Sequence, residues 1–252
     1  MKTLDRHLGA FGLLGMMLLL GACQAQPPAA PSSRSVPAGP EKSYDRGDWQ
    51  NMWEQGLAIE EGLERFLQLR PIEAGQTVAD IGCGSGVWST LLAQQVGADG
   101  RVYAVDIDRS ALSFFADKLQ RDENLDPNGV ITLVLSQPDN ASLPPRSIDV
   151  GLMMAVHFHN ETELDEAGRR MIASVFEATR PGGWLVIEEL ASVEGREIAP
   201  SLIRHYQDAG FRLDRPPPFF TGRAAMEQLG RGEPNIFVAL FQRPASGGLF
   251  SR

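Results

Sequence analysis

Short apolar runs alternate with amphipathic stretches along most of this chain. Thr77–Ile81, Arg101–Ile107, Val130–Leu135, Ile148–Val156 and Trp184–Glu189 are rich in aliphatic and β-branched residues and predict buried strands. Between them, Val87–Gln95, Arg109–Gln120 and Glu163–Thr179 predict helices. In the second of these, Leu112, Phe115, Ala116 and Leu119 fall on one face. This alternation predicts an α/β domain with a mostly parallel, doubly wound sheet. Arg180-Pro181-Gly182-Gly183 predicts a hard turn into the fifth strand. The rhythm then changes. Pro200–Gly210 predicts a helix, and Phe211–Asp214 and Asn235–Gln242 predict two more strands. That makes seven strands, with an antiparallel strand at the sheet edge. Pro216–Pro218 is a stiff connector, and Ala224–Leu229 suits one or two helical turns. Upstream, Ser43–Leu69 has helical period, with Trp49, Trp53, Leu57, Leu63, Phe66 and Leu67 on one broad face. Such a helix either packs on the core or forms a lid over a ligand.

The N-terminal pattern is of another kind. Lys2 and Arg6 precede an uncharged apolar run, Leu8–Leu20, which is short for a bilayer span. A charged start followed by a short apolar segment is the plan of a secretory signal peptide. Gln24–Pro40 consists largely of Pro, Ala, Ser and Gly with one charge, Arg34, a composition suited to an extended tether. The expected organisation is a signal segment (1–22), a tether (23–42), a folded domain (43–243) and a flexible tail (244–252).

Charge and cysteine content narrow the chemistry. The 252 residues carry a net charge of −9, which disfavours a general nucleic-acid binder. No basic cluster with interleaved aromatics offers a nucleic-acid surface either. The two cysteines, Cys23 and Cys83, cannot build a disulfide framework. His157 and His159 are the only close histidines, and without neighbouring ligands the pair is a weak metal motif. No metal site is expected.

The most informative stretch is Val78–Gly86, VADIGCGSG. A strand ending in glycines at positions 82, 84 and 86 and opening a helix lets backbone approach a ligand closely. Val87 breaks the G-x-G-x-x-G spacing of dinucleotide sites. Asp106, twenty residues past Gly86 at the end of the second strand, is placed to accept hydrogen bonds from ribose hydroxyls. Asp80 puts a second carboxylate beside the loop. That is unhelpful to a pyrophosphate but suits an ammonium or sulfonium. Loop spacing and Asp80 together favour S-adenosylmethionine (SAM) over a nicotinamide dinucleotide.

With these residues in place, the stretch from Trp49 to Arg243 resembles the class I SAM-dependent methyltransferases. VADIGCGSG matches the family's first motif, and Tyr103–Asp108, YAVDID, matches the second. Gln137–Pro144 resembles the aspartate-alanine stretch after the third strand, and Arg180–Ile187 the turn into the fifth. The resemblance implies a Rossmann-like methyltransferase fold with SAM as cofactor. It implies that Asp80, Gly82, Gly84 and Gly86 form the cofactor loop, with Asp106 on the ribose and Ile107 beside the adenine. It also implies that either Asp139 or Asn140 faces the adenine amino group, with Ala141 lining the ring pocket. Leu20-Gly21-Ala22-Cys23 resembles a bacterial lipobox. This implies that Cys23 is lipidated and becomes the mature N-terminus of a periplasm-facing membrane lipoprotein. Gln24, which is not an acid, implies the outer membrane. The alternative is an uncleaved anchor with the body in the cytoplasm.

Methyl transfer from a sulfonium is an in-line displacement in which positioning supplies much of the catalysis. The acceptor site is expected over the end of the fourth strand, at Val156–Asn160, where His157 or His159 would act as a base or shape the pocket. Glu188 and Glu189 are expected as solvated acids on the same rim, and Cys83 as a small filler in the loop. The acceptor is expected to be a small molecule, or a lipid given the anchor. A second reading is an exported, catalytically inactive module that binds SAM or another adenosine-type ligand, since SAM is made in the cytoplasm.

Overall fold

The computed structural model describes residues 45–58, 71–156, 164–190, 192–193, 196–214, 219–221 and 235–245. The signal segment, Cys23, the tether, residues 59–69, His157, His159, Ala224–Leu229 and residues 246–252 lie outside the described residues. The elements, in chain order, are α1 (Arg46–Ala58), β1 (Thr77–Ile81), α2 (Val87–Val96), β2 (Arg101–Asp106), α3 (Arg109–Arg121), β3 (Ile131–Leu135), β4 (Ile148–Met154) and α4 (Glu166–Ala178). They continue with β5 (Thr179–Leu190), β6 (Ser192–Val193), β7 (Arg196–Glu197), α5 (Ala199–Asp208), β8 (Arg212–Leu213), β9 (Phe219–Thr221) and β10 (Asn235–Gln242).

The aliphatic runs become strands because helices bury both faces of the sheet, so a continuous apolar run has no wet side. The sheet order is β3-β2-β1-β4-β5-β10-β8, with β9 also paired to β10. The first five strands are parallel. The expected antiparallel strand is β10, bordered at the sheet edge by the short strands β8 and β9, which pair antiparallel with it. Side chains alternate between two cores with the period of a strand. Val78, Val102 and Ala104 join Leu92, Leu112 and Phe115 of α2 and α3. Ala79, Ile81, Tyr103 and Val105 join Ile172, Val175, Leu202 and Tyr206 of α4 and α5. Strand order reverses between β1 and β4, which places the ligand crevice of an open α/β sheet at their carboxyl ends.

One expectation is corrected. Arg180–Gly183 is not a turn before the fifth strand but an irregularity within β5. Thr179 pairs with Ile148, and the next pairing joins Trp184 to Val150, so β5 accommodates extra residues. Pro181 has no N–H for the ladder, and Gly182 adopts φ 83°. The displaced backbone bonds to Arg243 instead. The Gly182 N–H donates to the Arg243 carbonyl (2.8 Å), and the Arg243 N–H to that of Gly183 (2.9 Å). The largely buried Arg243 guanidinium donates to the carbonyls of Phe176, Glu177 and Thr179, at the C-terminal end of α4, where a cation is favoured. The β6–β7 hairpin and β9 were not anticipated, being only two or three residues long.

Helix α1 packs across α2 and α3. Trp53 lies against Phe114 and Phe115, with ring centroids 6.5 and 6.4 Å away. Lys118 Nζ sits 5.0 Å from the Trp53 ring, and Arg46 pairs with Asp117 at 2.7 Å. The other tryptophan, Trp49, is equally buried and lies over the glycine loop. The same helix therefore packs and covers.

Candidate active site

The loop between β1 and α2 is built from glycines with different duties. Gly82, Gly84 and Gly86 all have positive φ (81°, 52° and 86°). A Cβ on Gly82 would stand 2.7 Å from Val156 Cγ2, and one on Gly86 would collide with the Phe115 ring. A Cβ on Gly84 would meet only Trp49, at 3.6 Å. Gly82 and Gly86 thus let the loop seat on its neighbours, whereas the surroundings of Gly84 have room.

Asp80 stands at the carboxyl end of β1 and is 4% exposed. Its Oδ2 accepts a hydrogen bond from Ser89 Oγ at 2.6 Å, at the start of α2. Burial pushes its pKa up to about 6, opposed by the Ser89 bonds and assisted by the charge of Asp106. Asp106, at the end of β2, is 8% exposed. The Gly84 N–H donates to its Oδ2 (2.8 Å) and the Asp108 N–H to its Oδ1 (2.7 Å). Burial raises this pKa too, and those backbone bonds oppose the rise. Two buried carboxylates, each costly to ionise, favour a cation placed beside them. Asp106 has about four acceptor positions in all and keeps capacity for a hydroxyl. Asp108 Oδ2 is buried with no hydrogen-bond partner among the described residues, an acceptor that a bound donor would satisfy. These features fit an adenosine-bearing cation.

Cys83 is a buried free thiol in the loop. Burial, and then the charges of Asp106 and Asp80, push its pKa well up, which keeps it neutral and unreactive as expected of a filler. Ile107 follows β2 and is partly buried. Between β3 and β4, Asp139 pairs with Arg170 of α4 at 3.0 Å. Asn140 Oδ1 accepts from the Ser142 N–H (2.7 Å), closing a local turn. Ala141 is buried, its N–H donating to Ser174 Oγ (2.9 Å). The side chains of Asp139 and Asn140 thus have partners within the protein, and Ala141 belongs to the core beneath this loop.

Glu189 differs from the solvated acid expected at the end of β5. It is 3% exposed, and its Oε1 accepts the Val156 N–H at 2.6 Å. It ties the chain leaving β4 to β5, directly before His157. Tyr206, from α5, lies in the same region; burial and then the Glu189 charge push its pKa well up. Asp149 accepts from the Thr77 N–H (2.8 Å) and from Arg180 (2.6 Å), a structural role. Sequence reasoning passed over Asp108 and Ser110. Asp108-Arg109-Ser110 before an amphipathic run is an N-cap signal, and Asp108 does cap α3, accepting from the Ser110 N–H.

The comparisons with known proteins agree with this geometry. Residues 78–183 match the family described as a methyltransferase domain. The chain is 31% identical over 153 residues to the ubiquinone/menaquinone biosynthesis C-methyltransferase UbiE of Legionella pneumophila (strain Corby). The match covers 60% of this chain and 56% of that protein, so the chain spans about half the length of the curated relatives it matches. A SAM-dependent methyltransferase from Aquifex aeolicus shares the fold with a TM-score of 0.58 at 18% identity, covering 80% of this chain and 100% of that one. A "possible exported protein" from Bordetella parapertussis does so with a TM-score of 0.52 at 17% identity, covering 72% and 65%. The fold is that of the class I methyltransferases. Residues 78–183 carry the region characteristic of a methyltransferase domain.

Proposed function

We propose that this chain is a SAM-dependent methyltransferase acting on a small-molecule or lipid acceptor, held at a membrane through lipidated Cys23. The observation that carries the reading is the buried acid pair, Asp80 and Asp106, around the glycine loop at the switch point of the sheet. When bound, SAM would supply an electrophilic methyl group on a sulfonium. Asp80 would complement its positive charge, Asp106 would hold the ribose, and Ile107 with the 139–141 loop would border the adenine. Gly84, which has space for close approach, would let the backbone reach the ligand.

The acceptor would lie over the carboxyl end of β4. Glu189 fixes the backbone at Val156 there, so the residues that follow leave from a held point. His157 or His159 would take a proton from an acceptor hydroxyl or acidic carbon as transfer proceeds. The N-terminal pattern and the lipobox resemblance support export to the periplasmic side, at the outer membrane.

Calorimetric titration of the full chain in detergent with SAM, S-adenosylhomocysteine and NAD tests the cofactor. SAM is expected to bind, and the Asp106→Ala variant to lose that binding. Tight NAD binding without a response to SAM would overturn the reading. SAM binding without transfer to any acceptor offered would favour an inactive binding module.

A further inference from the structure

A continuous hydrogen-bond chain runs from α1 to the glycine loop. Trp49 Nε1–H donates to Ser110 Oγ at 2.8 Å. Ser110 donates twice to Asp108 Oδ1, from its hydroxyl and from its N–H, both at 2.8 Å. The Asp108 N–H donates to Asp106 Oδ1 at 2.7 Å, and the Gly84 N–H to Asp106 Oδ2 at 2.8 Å. Trp49, Asp106 and Asp108 are all buried. The Trp49 ring also borders Gly84, so α1 touches both ends of the chain of bonds.

We infer that Trp49 is a positioning residue: through Ser110 and Asp108 it sets the orientation of the Asp106 carboxylate toward a ribose. This rests on the cofactor reading above. Asp106 has little freedom to meet two vicinal hydroxyls by itself, because each of its oxygens is already held by a backbone N–H. Its aim follows from where the Asp108 backbone sits. That backbone belongs to the cap of α3, and the cap is tied to α1 by the Trp49–Ser110 bond. Trp53, one turn along, makes aromatic contacts with α3 but takes no part in this chain of bonds. The two tryptophans of one helix thus separate packing from alignment.

The test uses the full chain in detergent and two probes, S-adenosylhomocysteine and its 2′,3′-dideoxy counterpart, with affinities read by calorimetry. Trp49→Phe keeps a ring beside Gly84 and removes the indole N–H. It is expected to weaken S-adenosylhomocysteine roughly 3- to 10-fold, the range of one hydrogen bond, and to leave the dideoxy probe unchanged. Ser110→Ala should do the same, and the double variant should be no worse than either alone. Trp53→Phe should lower the melting temperature without changing the ratio of the two affinities. Equal weakening of both probes by Trp49→Phe, or of neither, would overturn the inference. A native chain that binds both probes equally overturns it too, while leaving the cofactor reading intact. A native chain that binds neither removes both.

Discussion

Asp80→Asn offers a demanding test because it is expected to help the fold and harm the site. Asp80 is buried, and its pKa rises from 3.8 to about 6 on folding, chiefly through loss of hydration. That rise corresponds to about 3 kcal/mol between the protonated and ionised forms of the folded state. The sign follows from proton linkage: the folded chain holds this proton more tightly than the unfolded one. The stabilisation is complete below pH 3.8 and is lost as pH rises through about 6. Near neutral pH the ligand-free protein therefore carries an ionised carboxylate it would fold more stably without. The amide keeps the shape, and its oxygen still accepts from Ser89 Oγ, but it brings no charge. In urea unfolding followed by circular dichroism, the variant is expected to gain up to about 3 kcal/mol over the native chain near pH 8. The gain should shrink steadily between about pH 6 and pH 4. The same variant should bind SAM roughly tenfold or more weakly, having lost the charge opposite the sulfonium. A variant less stable than the native chain near pH 8, or a difference flat across the whole range, would refute the reasoning.

Four further outcomes are expected. Gly86→Ala combines a left-handed φ of 86° with a Cβ aimed at the Phe115 ring, so it should cost about 2–5 kcal/mol in chemical denaturation. Gly84→Ala, whose Cβ meets only Trp49 at 3.6 Å, should cost about 1–2 kcal/mol and act mainly on ligand affinity. Replacing His157 or His159 by Ala should slow turnover with SAM affinity retained, and unchanged turnover in both variants would assign them to pocket shape. Globomycin should block processing of the native chain, and Cys23→Ser should release it from membranes in fractionation; a native chain found in the soluble fraction would refute the anchor.

How far the sequence carried depended on what each residue's surroundings had to supply. β1 and β2 were legible because both faces are buried, so their apolar runs are unbroken. β10 was legible too, because the apolar run Phe237–Phe241 between its polar ends is buried without a break. The bulge in β5 was not. Pro181-Gly182-Gly183 signals a turn when read locally, and only the backbone of Arg243, sixty residues on, makes it part of a strand. Glu189 shows the same limit in the site, because a strand-end acid looks solvated until the chain leaving β4 folds over it. Asp80, the glycines and Asp106 could be singled out as candidates because their spacing is local and their chemistry distinctive. The link from Trp49 to Ser110 spans 61 positions and left no pattern to read.

The arrangement of the sheet's last strands bears on when the domain can finish folding. Among the described residues β8 and β9 pair only with β10, and the displaced backbone of β5 bonds to Arg243 just beyond it. All of these contacts depend on residues 235–243, which follow every other strand of the sheet in the chain. A nascent chain that has emerged through β9 can assemble the five parallel strands but cannot close the edge of the sheet. Closure of the sheet edge therefore waits on the last strand in sequence. Until β10 pairs with β5, the outer edge of that strand stays open.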